Sequence, residues 1–389
     1  HQKCVIRSHK NYRKLGHHEL SPKIFLRGVY IWVGKSGLFE IDPLFYFPVF
    51  FSRVIISSMK NNLLQKISSA GLLGRGCGTF PVAQKWQAVL SARDQEKYVI
   101  ANCSESEPGI FKDEFILDRY PERVIDGILL AMKTVGAKQG IIYLSPTYYR
   151  RYKNKLHLLI GRSPIELFAK PHADYIGGEE TAALNLMEGK REESRLRPPY
   201  ITAVGFHGHP TLVNNCETFY NVSLINDNKY RGERFFCISG DDIPRNIYSF
   251  PETLTVKQAL LKSGHYPRFP FFIQLGGAMA GNCLRENQLD IPLHHYSGLI
   301  IHRLDTDERK LFNSWLSFFA RESCGKCVPC REGAFRLLEM FKSRALGTEA
   351  FWDIINTMQN TTICSLGKMA TTAISSYLIN IKRIKKLES

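Results

Sequence analysis

Three cysteines lie in Glu322-Ser-Cys324-Gly-Lys-Cys327-Val-Pro-Cys330-Arg-Glu-Gly333, and a fourth, Cys364, in Thr361-Thr-Ile-Cys364-Ser-Leu-Gly367. Thiolates at this spacing are soft, anionic ligands that can wrap an iron–sulfur cube. One loop supplies three corners and a distant segment closes the fourth. That is electron-transfer chemistry rather than hydrolysis. Four thiolates also suit a structural zinc, and inert buried thiols are a third reading. Disulfides are not expected, because no secretory leader is read at the start of the sequence. Cys4, Cys77, Cys103, Cys216, Cys237 and Cys283 lack ligand spacing and are expected to be small, reduced core residues.

A second set of residues is polar and glycine-rich. In Gly74-Arg-Gly-Cys-Gly-Thr-Phe80-Pro81 the glycines let the backbone approach a phosphate, and a following helix start favours anions. Such a loop can equally be a tight turn. Asn102-Cys-Ser-Glu105-Ser-Glu107-Pro-Gly109 leaves a strand end, where open α/β sheets bind ligands. Gly177-Gly-Glu179-Glu180-Thr181 precedes an apolar helical run, and Pro210-Thr-Leu-Val213-Asn214-Asn215 is followed by Glu217-Thr218. Each of these is also readable as a capped helix start.

The elements that must position these groups follow from periodicity. Leu63-Leu64, Ile67 and Ala70 predict a helix over 61–70, ended by Gly71, and Gln84 to Leu90 predicts another. Tyr98-Val-Ile-Ala101 and Gly140-Ile-Ile-Tyr-Leu144 read as buried strands around a helix over 124–135. This alternation implies an α/β layer on a largely parallel sheet. Between about 235 and 300 short strands (235–239, 247–250, 271–274, 298–301) surround one helix, Val256 to Ser263, which predicts a small α+β module. Helical signals return over 310–321, 334–342, 348–358 and 370–386, with the cysteine loop between the first two.

The chain has 389 residues and a formal net charge of +16, with basic runs at His9-Lys10-Asn-Tyr-Arg13-Lys14 and Lys382-Arg383-Ile-Lys385-Lys386. Nucleic acid is the first partner such a balance suggests. No recognition helix or aromatic–basic RNA motif accompanies it, so acidic protein neighbours are expected instead. A zinc-stapled nucleic-acid-binding protein is the bland competitor. The longest apolar run, Pro43 to Ile56, contains Pro48 and Arg53 and is too short to span a bilayer.

Taken in order, these segments and the cysteine motif resemble the flavin-bearing, NADH-oxidising subunit of respiratory complex I. They equally resemble the diaphorase subunits of NAD-linked hydrogenases and formate dehydrogenases. The likeness runs from near Ile67 to about Lys382. It implies four parts: a divergent segment over 1–60, then a Rossmann-like α/β domain for FMN and NADH over 61–230. A β-grasp module over 231–304 and a helical [4Fe–4S] domain over 305–389 complete it. By position it implies FMN or NAD(H) contacts at Arg75, Gly76, Phe80, Lys85, Asn102, Ser104, Glu105 and Glu107. The same holds for Tyr175, Gly178, Glu179, Glu180, Arg197, Tyr200, Val213, Asn214 and Asn215. Lys85 and Glu180 are the catalytic candidates, and Cys324, Cys327, Cys330 and Cys364 the cluster ligands. A small iron–sulfur subunit and larger electron-accepting subunits are implied as partners. Bacterial cytoplasm or an organelle matrix is the implied location, with the membrane reached only through the complex.

The chain departs from the family pattern in its nucleotide loop. Cys77 and Thr79 stand where the family has glycines, and Val82 and Ala83 replace its closing Thr-Gly. Ser104 replaces an acidic residue, Gly177 a cysteine, and His209 a lysine. The expected function is NADH oxidation through FMN and the cluster to a partner. The alternative is an iron–sulfur relay or scaffold that has lost its nucleotide.

Overall fold

The computed structural model describes residues 62–76 and 78–384, and the backbone of three short strands before them. Those strands, β1 (Ile24–Leu26), β2 (Val29–Gly34) and β3 (Gly37–Phe39), form an antiparallel sheet in the order β1-β2-β3. They belong to one compact unit over 1–59, and residues 60–389 form another. The apolar run 43–56, Cys4, Cys77 and Lys385-Lys386 lie outside the described residues. Among the described residues, no helix is long and apolar enough to cross a membrane.

Within the larger unit, β4 (Tyr98–Cys103), β5 (Gln139–Leu144), β6 (Ile165–Ala169) and β7 (Thr211–Asn215) form a sheet ordered β6-β5-β4-β7, parallel throughout. Its two central strands are near-continuous apolar runs because helices cover both faces. The chain leaves β4 to one side through β5 and β6, and returns on the other through β7. The carboxyl ends of β4 and β7 therefore make the switch point where such sheets open a crevice. Around the sheet lie α1 (Asn62–Ser69), α2 (Val82–Ser91), α3 (Lys112–Arg119), α4 (Pro121–Val135), α5 (Pro146–Ile160), α6 (Glu180–Met187) and α7 (Cys216–Asn226). α4 starts with proline in its first turn and stops at Gly136, whose φ of 78° suits a residue without Cβ.

Two segments differ from expectation. The capped helix start read over 210–218 is present, with Asn215 as the cap accepting from Glu217 N, but an unexpected strand precedes it: Thr211 to Asn215 pair with β4 in register Tyr98↔Thr211. β-branched and apolar residues here gain more from sheet pairing than from an early helix turn. α5 carries its buried stripe on Tyr148, Tyr152, Leu156 and Ile160, a helical period hidden among arginines and lysines.

A mixed five-stranded sheet follows: β8 (Glu233–Gly240), β9 (Ile243–Pro251), β10 (Phe271–Leu275), β11 (Asn282–Arg285) and β12 (Gly298–Arg303), ordered β11-β10-β12-β8-β9. Only β12 and β8 run parallel. α8 (Val256–Ser263) covers one face, fixed by a capping box between Thr255 and Gln258. Its core gathers Phe236, Ile238, Leu260, Ile273, Leu299 and Ile301.

The C-terminal region is helical: α9 (Glu308–Glu322), α10 (Val328–Lys342), α11 (Glu349–Thr361) and α12 (Ser365–Ser376), the last continuing into a π turn over Tyr377–Ile381. Trp315, Phe319, Phe351, Trp352, Met358 and Ile374 form its core. A Cβ on Gly333 would stand 2.4 Å from Met358 Sδ, so the glycine lets α10 and α11 approach. α10 begins earlier than its periodicity predicts. Cys330 is therefore in a helical turn rather than in a loop.

Candidate functional site

The crevice at the ends of β4 and β7 is bordered by the glycine-rich loop, the 176–178 turn and the starts of α2, α6 and α7. Asn102 and Asn215 face each other across the strand pair. Asn102 Nδ2 donates to the Gly178 carbonyl at 2.9 Å, and Asn215 Nδ2 to the Asn102 carbonyl at 3.2 Å. A Cβ on Gly76 would lie 3.8 Å from Asn215 Cβ, and one on Gly178 3.4 Å from the Ser104 carbonyl oxygen. Gly76 and Gly78 are exposed, so backbone lines the crevice mouth. The start of α2 has neither a side-chain cap nor an acidic residue in its first turn, which leaves its positive end open to an anion. Ser104 Oγ is buried without a partner in the chain. Val213 is buried, and Asn214 Oδ1 accepts from Trp86 Nε1 at 2.9 Å. Exposed glycine backbone, an open helix start and an orphaned hydroxyl together suit a flavin nucleotide.

At the same crevice Lys85 Nζ pairs with Glu180 Oε2 at 2.6 Å, and Arg197 reaches Glu179 Oε1 at 2.5 Å and Glu180 Oε1 at 3.1 Å. Burial pushes the Glu180 carboxyl up, but Lys85 and Arg197 outweigh it and hold the group below its ordinary range. Glu179 caps α6 by accepting from Thr181 N and Ala182 N. Phe80 and Tyr200 are both more than half exposed.

Other expected residues point elsewhere. Arg75 is buried, and its guanidinium pairs with Glu252 and donates to Tyr230 OH at 2.9 Å, on the mixed-sheet side. Only its backbone stays in the loop, donating to Thr218 Oγ1 at 3.0 Å. Glu107 also reaches toward the mixed sheet, accepting from Met279 N at 2.7 Å and Ala280 N at 3.1 Å. Burial raises its pKa against those bonds. Glu105 accepts from Asp113 N and from Tyr148 OH, each at 3.1 Å. Burial first, and the Asp113 carboxylate second, push it up to about 8.

Lys112 and Asp113 escaped the sequence reading. They form a buried ion pair, and Lys112 Nζ also donates to Asn215 Oδ1 at 2.8 Å and approaches Glu217 Oε2 at 3.4 Å. Asp113 Oδ2 accepts from Asn215 Nδ2 at 2.7 Å. The cluster thus fixes the Asn215 side chain that borders the crevice. The available signal was a Lys-Asp pair beginning a helix just after a Pro-Gly turn.

The four cysteines come together in the helical region. Cys327 is the N-cap of α10 and Cys364 the N-cap of α12, and neither helix has a side-chain cap. Cys330 feels Cys324, Cys327 and Cys364 as electrostatic neighbours. Burial chiefly, and those thiols secondarily, push it up to about 12 although the Ser323 hydroxyl draws it down. Gly325 turns the loop with φ 76°. Two uncapped helix starts, each with a thiol at its cap position, suit an anionic, thiolate-ligated group. The donor set is sulfur alone, which fits an iron–sulfur cluster. No group of three metal-binding side chains converges tightly enough for a single ion among the described residues. The remaining described cysteines, Cys103, Cys216, Cys237 and Cys283, are buried and free.

Crevice and thiols are joined directly. Tyr175 N donates to Glu322 Oε2 at 2.8 Å, and the Tyr175 ring packs edge-on against Phe318 and Phe319, at centroid distances of 5.2 and 5.9 Å. Glu322 is two residues before Cys324. On the same side Arg191 Nη2 donates to the Cys324 carbonyl at 2.7 Å, and Lys326 pairs with Glu193 at 3.0 Å.

Comparison with known proteins agrees with this geometry. Residues 67–224 match the family model described as the Nuo51 FMN-binding domain, a span that includes every crevice residue above. Residues 310–383 match the NADH-ubiquinone oxidoreductase-F iron-sulfur binding region, which includes all four cysteines. The chain is 31% identical to the NADH-quinone oxidoreductase F subunit of Aquifex aeolicus, over 81% of this chain and 83% of that protein. It is 31% identical to the alpha subunit of the NAD-reducing hydrogenase HoxS of Cupriavidus necator, over 70% of this chain and 50% of that one. An air-oxidised NAD+-reducing [NiFe]-hydrogenase crystal structure superposes with a TM-score of 0.76 at 29% identity. The match covers 82% of this chain and 61% of that one. A strand-end crevice bordered by glycine backbone, joined to an all-sulfur nest, thus coincides with both family matches, and the chain belongs to the family of FMN-binding NADH-quinone oxidoreductase subunits and hydrogenase diaphorase subunits.

Proposed function

We propose that this chain oxidises NADH through bound FMN and passes the electrons by a [4Fe–4S] cluster to a partner subunit. The observation that carries this reading is the contact between the crevice and the thiol region. The turn beside Gly178 touches, through Tyr175, the residues that lead into Cys324. When bound, the flavin takes an electron pair as hydride and the cluster passes electrons singly.

The chain's own groups then have distinct tasks. Backbone at Gly76 and the open start of α2 hold the flavin phosphate, with Asn102, Ser104, Gly178, Val213, Asn214 and Asn215 around the ring system. Lys85, held by Glu180, places a fixed cation at the crevice, where the low dielectric strengthens it. Glu179, Glu180 and Arg197 orient the nicotinamide end, and exposed Phe80 and Tyr200 offer faces for stacking. Arg75, Glu105 and Glu107 serve as struts under the cleft rather than as direct ligands. Cys324, Cys327, Cys330 and Cys364 ligate the cluster.

The unit then divides into an α/β part over 61–230, a β-grasp module over 231–304 and the helical part over 305–389. The partners are a small iron–sulfur subunit and larger electron-accepting subunits. Their acidic faces complement the +16 charge of this chain. The complex lies in bacterial cytoplasm or an organelle matrix and meets a membrane only through those partners.

The test is an absorption and EPR experiment on anaerobically prepared protein. A flavin band that bleaches with NADH, followed by a reduced-cluster EPR signal, is expected. A brown protein without flavin and indifferent to NADH overturns the reading in favour of a relay. A colourless zinc protein overturns both.

A further inference from the structure

Ser194 lies where the chain leaves α6 and passes the thiol nest. Its side chain is buried, and its hydroxyl makes no hydrogen bond of good geometry within the chain. The Cys364 thiol is the polar group beside that hydroxyl. Buried hydroxyls without an acceptor are rare because desolvation costs about 1–3 kcal/mol. The backbone that carries Ser194 is held from both sides. Asn185 Nδ2 donates to the Glu193 carbonyl at 2.8 Å, Glu193 pairs with Lys326, and Arg195 N donates to Thr181 Oγ1 at 2.8 Å. Arg191 grips the Cys324 carbonyl. This strap, which spans α6 and the cluster loop, holds the backbone that carries the hydroxyl beside the thiols.

We propose that Ser194 donates a hydrogen bond to the Cys364 sulfur where it ligates the cluster, and so sets the potential at which the cluster accepts its electron. This rests on the reading that the four thiols hold a cluster. Reduction adds negative charge that spreads over the sulfurs, so a donor fixed there stabilises the reduced form more than the oxidised form. Ser194 is thus a positioning residue for electron acceptance. It is separate from the nucleotide contacts, and its effect appears in a potential rather than in substrate affinity.

The test uses the full chain, prepared anaerobically, as the unsubstituted protein and as Ser194→Ala, Ser194→Gly and Ser194→Thr. Iron and sulfide analysis establishes cluster content, and an EPR-monitored redox titration gives the reduced-to-oxidised ratio. At the potential where the unsubstituted cluster is half reduced, Ala and Gly are expected to lower that ratio roughly tenfold. Thr, which keeps the hydroxyl, is expected to stay within about twofold, because its donor is unchanged. Unchanged ratios in Ala and Gly overturn the proposal. So does a Thr shift equal to that of Ala, which would mark a packing effect. An unsubstituted protein without iron overturns the parent function and this inference together, whereas a loaded but insensitive cluster overturns this inference alone.

Discussion

The thiol nest takes three of its groups from one short stretch, Cys324 to Cys330, and the fourth from the start of α12. The nucleotide cleft gathers Gly76, Lys85, Asn102, Gly178, Glu180 and Asn215 from five separate segments. The nest needs two helix starts and a glycine turn; the cleft needs a parallel sheet in register, two loops and a buried charge cluster beneath Asn215. Covalent ligation rewards local spacing, whereas recognition of a nucleotide depends on surfaces that meet only after folding. Substitutions in the nest should therefore act on cluster content, and those in the cleft on NADH kinetics or stability.

The sharpest break of that comparison is Cys330→Ser. It should abolish [4Fe–4S] loading, read as iron and sulfide content, while flavin stays bound. Full iron retention would falsify the ligand assignment. Next in size is Lys85→Met, which removes the cation paired with Glu180. We expect kcat/KM for NADH to fall roughly 10²-fold at unchanged iron content. A near-normal value would mean that the pair is only a lip of the cleft.

Arg75→Ala probes the boundary between site and scaffold. With its guanidinium buried against Glu252 and Tyr230, the substitution should cost about 3 kcal/mol in stability, read by denaturant unfolding. The flavin dissociation constant of the folded fraction should change little. A large loss of flavin affinity without loss of stability would return Arg75 to the phosphate.

The smallest effect is a pH slope. Glu105 stands at about 8 in the fold, far above its unfolded range, so the folded chain holds a proton that the unfolded chain has lost. Its contribution is present below about pH 4.5 and is lost as pH rises toward 8. Asp113, Lys112 and Tyr148 face it and share in that balance. Glu105→Gln should flatten the decline of Tm over this window. An unchanged slope would show that Glu105 is ionised in the fold.

Much of the chemistry was legible without coordinates. The cysteine spacing, the strands at 98–101 and 140–144, and the helix at 256–263 follow from side-chain type and period, which are local properties. The cap at Asn215 was legible, but the strand at Thr211 to Asn215 before it was not, because five residues carry too little period; pairing with β4 settled it. The destination of Arg75 was hidden for a related reason. Its loop position suggests a phosphate, but Glu252 and Tyr230, which receive it, are far away in sequence.

The chain by itself determined the donor chemistry: soft sulfur at four positions, glycine backbone in one loop, and carboxylates and amides at strand and helix ends. Tertiary structure decided which of those groups face a common space. It sent Arg75 and Glu107 toward the mixed sheet, locked Lys112 beneath Asn215, and set Tyr175 against the residues that lead into the cluster loop. The physical reason is that a residue's reactivity is covalent and local. Its direction and burial are set by partners distant in sequence, and those partners exist only in the folded state.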